Sequence, residues 1–515
     1  MFIISTYPLN SAEIWFNHWY VITDCQLYRE QFMAAIFDGL LYDYSEKEIH
    51  SLFKFEKPLD GEYIYCQITS CNKLQFYTSP TGNQTIYYYH KNDTLIITDD
   101  LPMLLKNIRP KICDMNKETV KDFYALSYPI GEETFINNIY RFPQGQAMTF
   151  EANNNTLDFK KCFHIKLEPS AIKTTNEIID EMEQLFLNSI KVCLNHYGEN
   201  KKYCIALSNG LDSRLVAYYF HKYAANLFAY FFGEQHSAEG NHAAMIANII
   251  DIPLFYGDEY SDFYRMIHEY AIQRPFSNVE WSKYRVAKKN IPEYDIILSG
   301  YMGNHLYGGW EYSGSNKEKD NDELSKELLK KFIRVDNISM QEKLRLIERI
   351  KKLLNQNNEN ILSRKWEFYF RSAIAYERDC EFFQDVNNKK HFSLFCNINL
   401  IRHSFTYKTA DYQFRRLYME YLKQKTPMIH PSRVPAIQVI NSHKPLEKWV
   451  CGNEGFLKIF CNEKELIEFI AYDVCEANIN IRELIEKVRS GSATRNNLHI
   501  LFQFLTIAEL INNYF

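Results

Sequence analysis

The chain lacks several things that would have settled its class at once. It has no basic excess: 59 Lys and Arg stand against 64 Asp and Glu, a formal net charge of −5, spread without a concentrated basic face. Nucleic acid is therefore not expected as a partner, and small molecules are the better default. No window offers the roughly 18 to 20 uninterrupted apolar residues of a membrane helix. The opening MFIISTYPLNSAEIW has neither the basic start nor the long apolar stretch of a secretory signal. A cytoplasmic protein with no membrane partner is the expectation. There is no C-x-x-C pair among the twelve cysteines, which are scattered from Cys25 to Cys475, some within apolar runs (Cys66, Cys204). That pattern favours buried free thiols over a disulfide framework or a metal site. No repeat of solenoid period is present, and no Gly-Lys-[Ser/Thr] marks a Walker loop.

What is present fits a soluble globular chain. The 515 residues are 46% hydrophobic and 24% charged, too long for one ordinary domain and most simply two, each able to bury a core. The 37 Tyr and 36 Phe accompany many Asn and Lys. That combination reads as nucleotide-composition bias, so the tyrosine clusters carry no functional weight.

The first part reads as β-rich. YIYCQITS (63–70), KLQFYTS (73–79), TIYYYHK (85–91) and TLIITD (94–99) are short and rich in aromatic and β-branched residues, with turn signals between them. QAMTFEA and TLDFKKCFHI flank Asn153-Asn154-Asn155. Stacked sheets are expected. Near residue 172 the period changes. Ile178, Ile179, Met182, Leu185, Phe186, Ile190 and Cys193 recur at three and four, an amphipathic helix from Thr175 to Leu194. Strand and helix then alternate: YCIALS, a helix from Asp212 to about Tyr223, LFAYFFG, NHAAMIANII, PLFYG, a helix from Asp262 to about Ile272, and DIILSG. This implies βαβ units and a parallel sheet with its ligand site at the carboxyl ends of the strands. Beyond Trp310 the text reads as helical, and the charged run KEKDNDELSKELLKKFIR is expected to be a loop followed by a solvated helix face.

Two loops carry the chemistry. The strand Cys204-Ile205-Ala206-Leu207 delivers Ser208-Asn209-Gly210 into a turn ahead of a helix. Free backbone N–H groups and the helix dipole there invite an anion. Gly210 and Asn209 both tolerate a left-handed backbone, and Ser208 and Ser213 can donate hydroxyl hydrogen bonds to phosphate oxygens. Asp212 beside a phosphate asks for a cation between them, and Mg²⁺ is the natural one. A turn in which Asp212 and Ser213 merely cap the helix is the plain alternative. The second loop follows DIIL: Ser299-Gly300-Tyr301-Met302-Gly303-Asn304-His305-Leu306-Tyr307-Gly308-Gly309. Two such loops on one parallel sheet can converge on one ligand.

SNGLDS resembles the S-G-G-x-D-S pyrophosphate loop of the asparagine synthetase family. LSGYMGNHLYGG resembles that family's L-S-G-x-G-x-D-E-x-x-G-G signature. The segments LDGEYIYCQI, YTSPTGNQTIYYYHKNDTLIITDDLPMLL and INNIYRFPQGQAMTF are similar to its Ntn-type glutaminase half. The likeness runs from about 58 to 310 and more loosely to 435 through Arg371, Glu377 and RRLYMEYLKQKTPMIHPSR. It implies an α/β multidomain chain: an Ntn-type αββα sandwich over 1–170, an adenine-nucleotide-hydrolase-like parallel α/β domain over 171–435, and a helical extension over 436–515. It implies ATP and Mg²⁺, with the nucleotide held by Leu207, Ser208, Asn209, Gly210, Asp212, Ser213, Ser299, Gly300 and Tyr301, and the metal by Asp212 and Asn304. Glu377 and His305 are candidates to line the reacting centre, and Lys444 or Arg433 to supply a cation to the later steps. Structural roles are open for all four.

Three departures shape the expectation. Phe2 stands where the family's glutaminase has its nucleophilic Cys, and Cys25 is no evident substitute, so glutamine hydrolysis is not expected. Asn209 replaces a Gly. Asn304 replaces the metal-binding Asp, with His305 where Glu is common, and loses a formal charge beside a hard cation. The reading is an ATP-dependent ligase that adenylates a small-molecule or peptide carboxylate, releases pyrophosphate and passes the acyl group to an amine without using glutamine. A homodimer is compatible with it. The alternative is a catalytically degenerate nucleotide-binding or scaffold member of the same family. A pyrophosphatase of the tRNA-modifying or NAD-synthesising type shares the first loop but does not predict the second.

Overall fold

The computed structural model describes residues 2–6, 8, 13–15, 19–30, 33–41, 61–69, 71–81, 85–163, 173–224, 226–233, 235–257, 263–282, 291–307, 319–335, 338–355, 361–376, 390–406, 415–431 and 446–515. The first part of the chain forms twelve strands: β1 (Phe2–Ser5), β2 (Glu13–Trp15), β3 (Trp19–Thr23), β4 (Gln26–Glu30), β5 (Met33–Leu41), β6 (Gly61–Thr69), β7 (Lys73–Thr78), β8 (Tyr87–Lys91), β9 (Thr94–Thr98), β10 (Ile139–Arg141), β11 (Gln146–Glu151) and β12 (Thr156–Lys161). They make two six-stranded sheets, ordered β10-β8-β9-β1-β3-β2 and β12-β11-β7-β6-β5-β4, with antiparallel pairing throughout. Successive side chains alternate between faces. Phe2, Ile4, Trp19 and Val21 of the first sheet thus meet Ile36, Ile64, Cys66, Phe76, Met148 and Phe150 of the second in one buried cluster. The stacked sheets expected for this part are present. Strands β1 to β5 were not anticipated.

Ile3 and Ile96, on the other face of the first sheet, join a much larger core that includes helix α1 (Lys117–Leu126) and the long final helix α8 (Arg495–Tyr514). Tyr124 of α1 stacks on Phe504 of α8, ring centroids 5.3 Å apart. Ion pairs tie the same regions together. Buried Asp122 accepts from Arg345 Nη2 and Arg349 Nε, both at 2.9 Å, from helix α6 (Met340–Leu354). Arg371 Nη2 donates to Glu132 Oε2 at 2.6 Å. Arg371 is thus a structural bridge to the first part of the chain.

The middle of the chain is α/β. Helix α2 (Thr175–Tyr197) leads to β13 (Lys202–Ala206), α3 (Leu211–Tyr223), β14 (Asn226–Phe232), α4 (Ala238–Ile250), β15 (Leu254–Gly257), α5 (Phe263–Gln273) and β16 (Ile296–Ser299). A capping box, Thr174 with Glu177, starts α2. The sheet is parallel in the order β15-β14-β13-β16-β17. Its edge strand β17 (Lys390–Ser393) corrects the reading of everything after Trp310 as helical. Four residues, Lys390 exposed and the next three buried, are too few to show a period. The charged run does become a helix, Asn321–Phe332, which buries Leu324, Leu328, Leu329 and Phe332. The eleven described cysteines are all free, five of them buried. Among the described residues no helix is long and apolar enough to cross a membrane.

Candidate functional site

Strand order reverses at β13. The chain runs from β13 outward through β14 to β15, then returns to the other side of β13 with β16. Loops leaving the carboxyl ends of β13 and β16 diverge around such a point and leave a crevice between them. Those loops are residues 207–210 and 300–302, the two singled out in the sequence.

In the first, Gly210 is the N-cap of α3 and carries no side-chain cap. Its φ is −66°, and Asn209 is not among the residues with positive φ, so the left-handed backbone expected at both does not occur. Closeness is what favours glycine at 210: a Cβ there would lie 2.9 Å from Ser208 Oγ. Ser208 Oγ accepts from the Gly210 N–H at 3.0 Å and pairs with Ser213 Oγ at 3.1 Å. Arg214, fully buried, donates to the carbonyls of Asn209 (2.8 Å), Gly210 (3.2 Å) and Ile429 (3.1 Å). The N–H groups of Leu207, Ser208 and Gly210 donate to the Tyr230 carbonyl, Ser213 Oγ and Ser208 Oγ, so the loop is held from both sides. Burial depresses the guanidinium's pKa to about 10, which leaves it charged at neutral pH. Sequence reasoning did not single out Arg214. Its position next to Asp212 and Ser213 was the available signal.

The second loop is pressed against the first. Cβ atoms added at Gly300 and Gly303 would stand 2.8 Å from Asp212 Cβ and 2.7 Å from Asp212 Cγ, too close for any side chain. Met302 between them has φ +70°. Ser299 Oγ pairs with His391 Nε2 of β17 at 2.7 Å and accepts from the Tyr301 N–H at 3.2 Å, while the Tyr301 carbonyl accepts from Ser393 Oγ at 2.6 Å. The unexpected edge strand therefore holds the second loop. His305 is buried, its ring 5.3 Å from that of Tyr369.

Asp212 sits where the loops meet. Burial pushes its carboxyl up, against the pull of Arg415, and the Tyr418 hydroxyl faces it. Asp212 Oδ1 and that hydroxyl are both shut away from solvent. Arg415, which precedes helix α7 (Arg416–Lys425), donates from Nη2 to Asn304 Oδ1, and the same nitrogen is 3.9 Å from Asp212 Oδ2. Leu207, Ser208, Asn209, Gly210, Asp212, Ser213, Ser299, Gly300, Tyr301, Asn304 and His305 thus lie on two touching loops. Glu377, Arg433 and Lys444 lie outside the described residues. Arg415 and Tyr418 were not named as site residues; their segment, RRLYMEYLKQK, carried only a loose family likeness, and only folding brings α7 to the loops.

The geometry does not suit a protein-held Mg²⁺ at Asp212 and Asn304. Magnesium takes oxygen ligands, usually with one or two carboxylates. Here a guanidinium, not an oxygen, stands between the one carboxylate and the side-chain oxygen of Asn304, and it donates to that oxygen. Among the described residues no three His, Cys, Asp or Glu side chains gather as a metal cluster.

Residues 181–420 match the family described as asparagine synthase. The chain carries a domain of the asparagine synthase family. The further likenesses are distant. The putative asparagine synthetase (glutamine-hydrolyzing) 2 of Methanocaldococcus jannaschii is 21% identical over 269 residues, 50% of this chain and 51% of that protein. The match therefore spans only about half the length of that relative. Two solved structures align at low similarity. One is the structure of the allosteric regulatory enzyme of purine biosynthesis, at 8% identity, covering 45% of this chain and 47% of that one, TM-score 0.18. The other is glutamine phosphoribosylpyrophosphate amidotransferase from B. subtilis complexed with ADP and GMP, at 9% identity, 63% and 75% coverage, TM-score 0.18. Superpositions this loose add nothing to the fold read from the strands.

Proposed function

We propose that the chain is an ATP-dependent amide-forming ligase that does not draw its nitrogen from glutamine. A carboxylate oxygen attacks the α-phosphorus of ATP, the bond from that phosphorus to the bridging oxygen breaks, and pyrophosphate leaves toward the Ser208–Ser213 loop. An amine nitrogen then attacks the acyl carbon, AMP departs, and the amine proton passes to solvent. The protein's part is positioning and charge stabilisation as pyrophosphate separates. The N-terminus of α3 and the Ser208 and Ser213 hydroxyls at its start, on a loop whose carbonyls Arg214 holds, support this reading.

The observation that carries this reading is the meeting of the two loops at the switch point, with Gly300 and Gly303 packed on Asp212. The glutamine-independent part is supported at the other end of the molecule. Phe2 is fully buried between the sheets, its ring 5.9 Å from Phe76, and burial pushes the Cys25 thiol up to about 11. The test is release of pyrophosphate and AMP from ATP across a panel of carboxylates and amines, with glutamine and ammonia compared as nitrogen donors. Turnover with amine and none with glutamine is expected. A nucleotide-binding protein without turnover is the second reading, favoured by the engagement of Asn304 with Arg415. Silence across the panel, persisting in Asn304→Asp, would establish it.

A further inference from the structure

The cation between the two loops belongs to the chain. Arg415 has φ +63°, a left-handed backbone that side-chain-bearing residues rarely adopt. It is also the N-cap of α7, where the helix dipole favours anions. Both features work against an arginine at this position, so contacts elsewhere must hold it. Those contacts are Asn304 Oδ1 and Asp212 Oδ2.

We infer that Arg415 is the resident cation of this site: it takes the place between Asp212 and Asn304 that a metal would otherwise fill, and receives the anionic pyrophosphate end of a nucleotide. Asp212 faces two guanidiniums, Arg415 and the buried Arg214, so the site is net positive before an anion arrives. Asparagine at 304 then has a physical reason: its amide oxygen accepts from Arg415 without neutralising the positive charge that an anion would meet. Arginine suits the task because its planar fork can bond an amide oxygen and phosphate oxygens together. Asp212 orients the guanidinium and is positioned to limit its reach. The ligand class rests on the function proposed above; the cation assignment does not.

Two measurements test it on the full chain. Mn²⁺ is titrated into the protein without nucleotide and the free ion is followed by electron paramagnetic resonance, for the unaltered chain and for Asp212→Asn. No site that depends on Asp212 is expected; one equivalent of Mn²⁺ bound by the unaltered chain and lost in Asp212→Asn overturns the assignment. This arm leaves Arg415 untouched, so it stands even if substitutions there unfold the protein. Inorganic pyrophosphate is then titrated in EDTA by calorimetry. Binding is expected, weakened about ten-fold or more in Arg415→Met, the loss of a charge-assisted hydrogen bond, and partly kept in Arg415→Lys. Pyrophosphate binding that requires Mg²⁺ and ignores Arg415→Met overturns the assignment while leaving the ligase reading intact. If ATP yields no pyrophosphate with any substrate pair while Arg415 still governs pyrophosphate binding, the ligase reading alone fails.

Discussion

The amino end of the first sheet and the carboxyl end of the parallel sheet offer a substrate very different surroundings. At the first, β1 begins with Phe2, wholly buried against Phe76, its N–H donating to Asp99 Oδ1 at 2.7 Å. An aromatic ring fills the space, and the backbone polar group is satisfied. At the second, two glycines bring loops into van der Waals contact, a carboxylate and a tyrosine hydroxyl are buried facing each other, and Met302 and Arg415 hold left-handed backbones. One end is arranged as a core, apolar and saturated. The other concentrates strain and buried polarity, as functional sites do. Substitution has different meanings at the two: Phe2 closes a position, whereas Asn304 engages Arg415 and leaves the open end net positive.

The largest expected effect lies at the closed end. Phe2→Ala should cost about 3–5 kcal/mol in denaturant unfolding, the range for emptying a buried aromatic site. Pyrophosphate release by the protein that remains folded should change by less than about two-fold, because distant sites act independently. A large loss of turnover without unfolding would break the contrast by showing the two ends coupled. Next comes the open end. Gly303→Ala drives a Cβ into Asp212 and displaces the second loop, so turnover should fall by about 100-fold, the scale of an ångström-sized misplacement, with a smaller change in stability. Parallel kinetics and urea melts separate the two outcomes.

The same contrast explains what could be read from residues alone. The loops at 207–213 and 299–305 were legible because strand, small residues and helix follow one another locally. The alternation that makes β13 to β16 parallel was legible for the same reason. Strands β8, β9, β11 and β12 declared themselves through short aromatic and β-branched runs punctuated by asparagine turns. Strands β1 to β5 did not. Edge strand β17, with the sequence KHFS, was hidden by helical text on both sides. Arg415 and Tyr418 lie about 200 residues beyond Asp212, and no periodicity links residues that only tertiary packing brings together. The left-handed backbone expected at Asn209 and Gly210 failed because a close hydroxyl, not an unusual φ, sets the requirement for glycine.

A third test sharpens the comparison through pH. His403 is buried in the α/β part, its Nε2 paired with the Ile178 carbonyl and its Nδ1 with the Tyr307 hydroxyl, both at 3.2 Å. Burial lowers its pKa to about 4, against the pull of Glu181, whose carboxylate is 4.0 Å from Nε2. The unfolded chain therefore binds this proton at higher pH than the folded one. Stability is intact above the unfolded value near 6.5 and is lost as pH falls toward 4, by up to about 3 kcal/mol. Tyr307 ends the short helix that follows the second loop, so the open end should be the acid-sensitive one. Urea midpoints measured from pH 7 to 4.5 should fall, and His403→Gln should flatten that limb; an unchanged slope in the variant would place the acid lability elsewhere.

The smallest expected effect is at Cys25, the thiol nearest in sequence to the closed end. Its Sγ is 3.9 Å from Asp24 Oδ1, and its backbone N–H donates to Thr23 Oγ1 at 3.0 Å. With its pKa pushed up to about 11 by burial, only on the order of one molecule in ten thousand carries the thiolate at pH 7, and the thiolate is the nucleophile. Cys25→Ser should leave ammonia release from glutamine at the buffer blank and change amine-dependent pyrophosphate release by less than about two-fold, since sulfur and oxygen differ little in size at a half-buried site. A glutaminase activity that disappears in Cys25→Ser would mean that the closed end retains a nucleophile despite Phe2. The nitrogen source would then have to be reassigned to the first half of the chain, leaving the loops at β13 and β16 with the nucleotide alone.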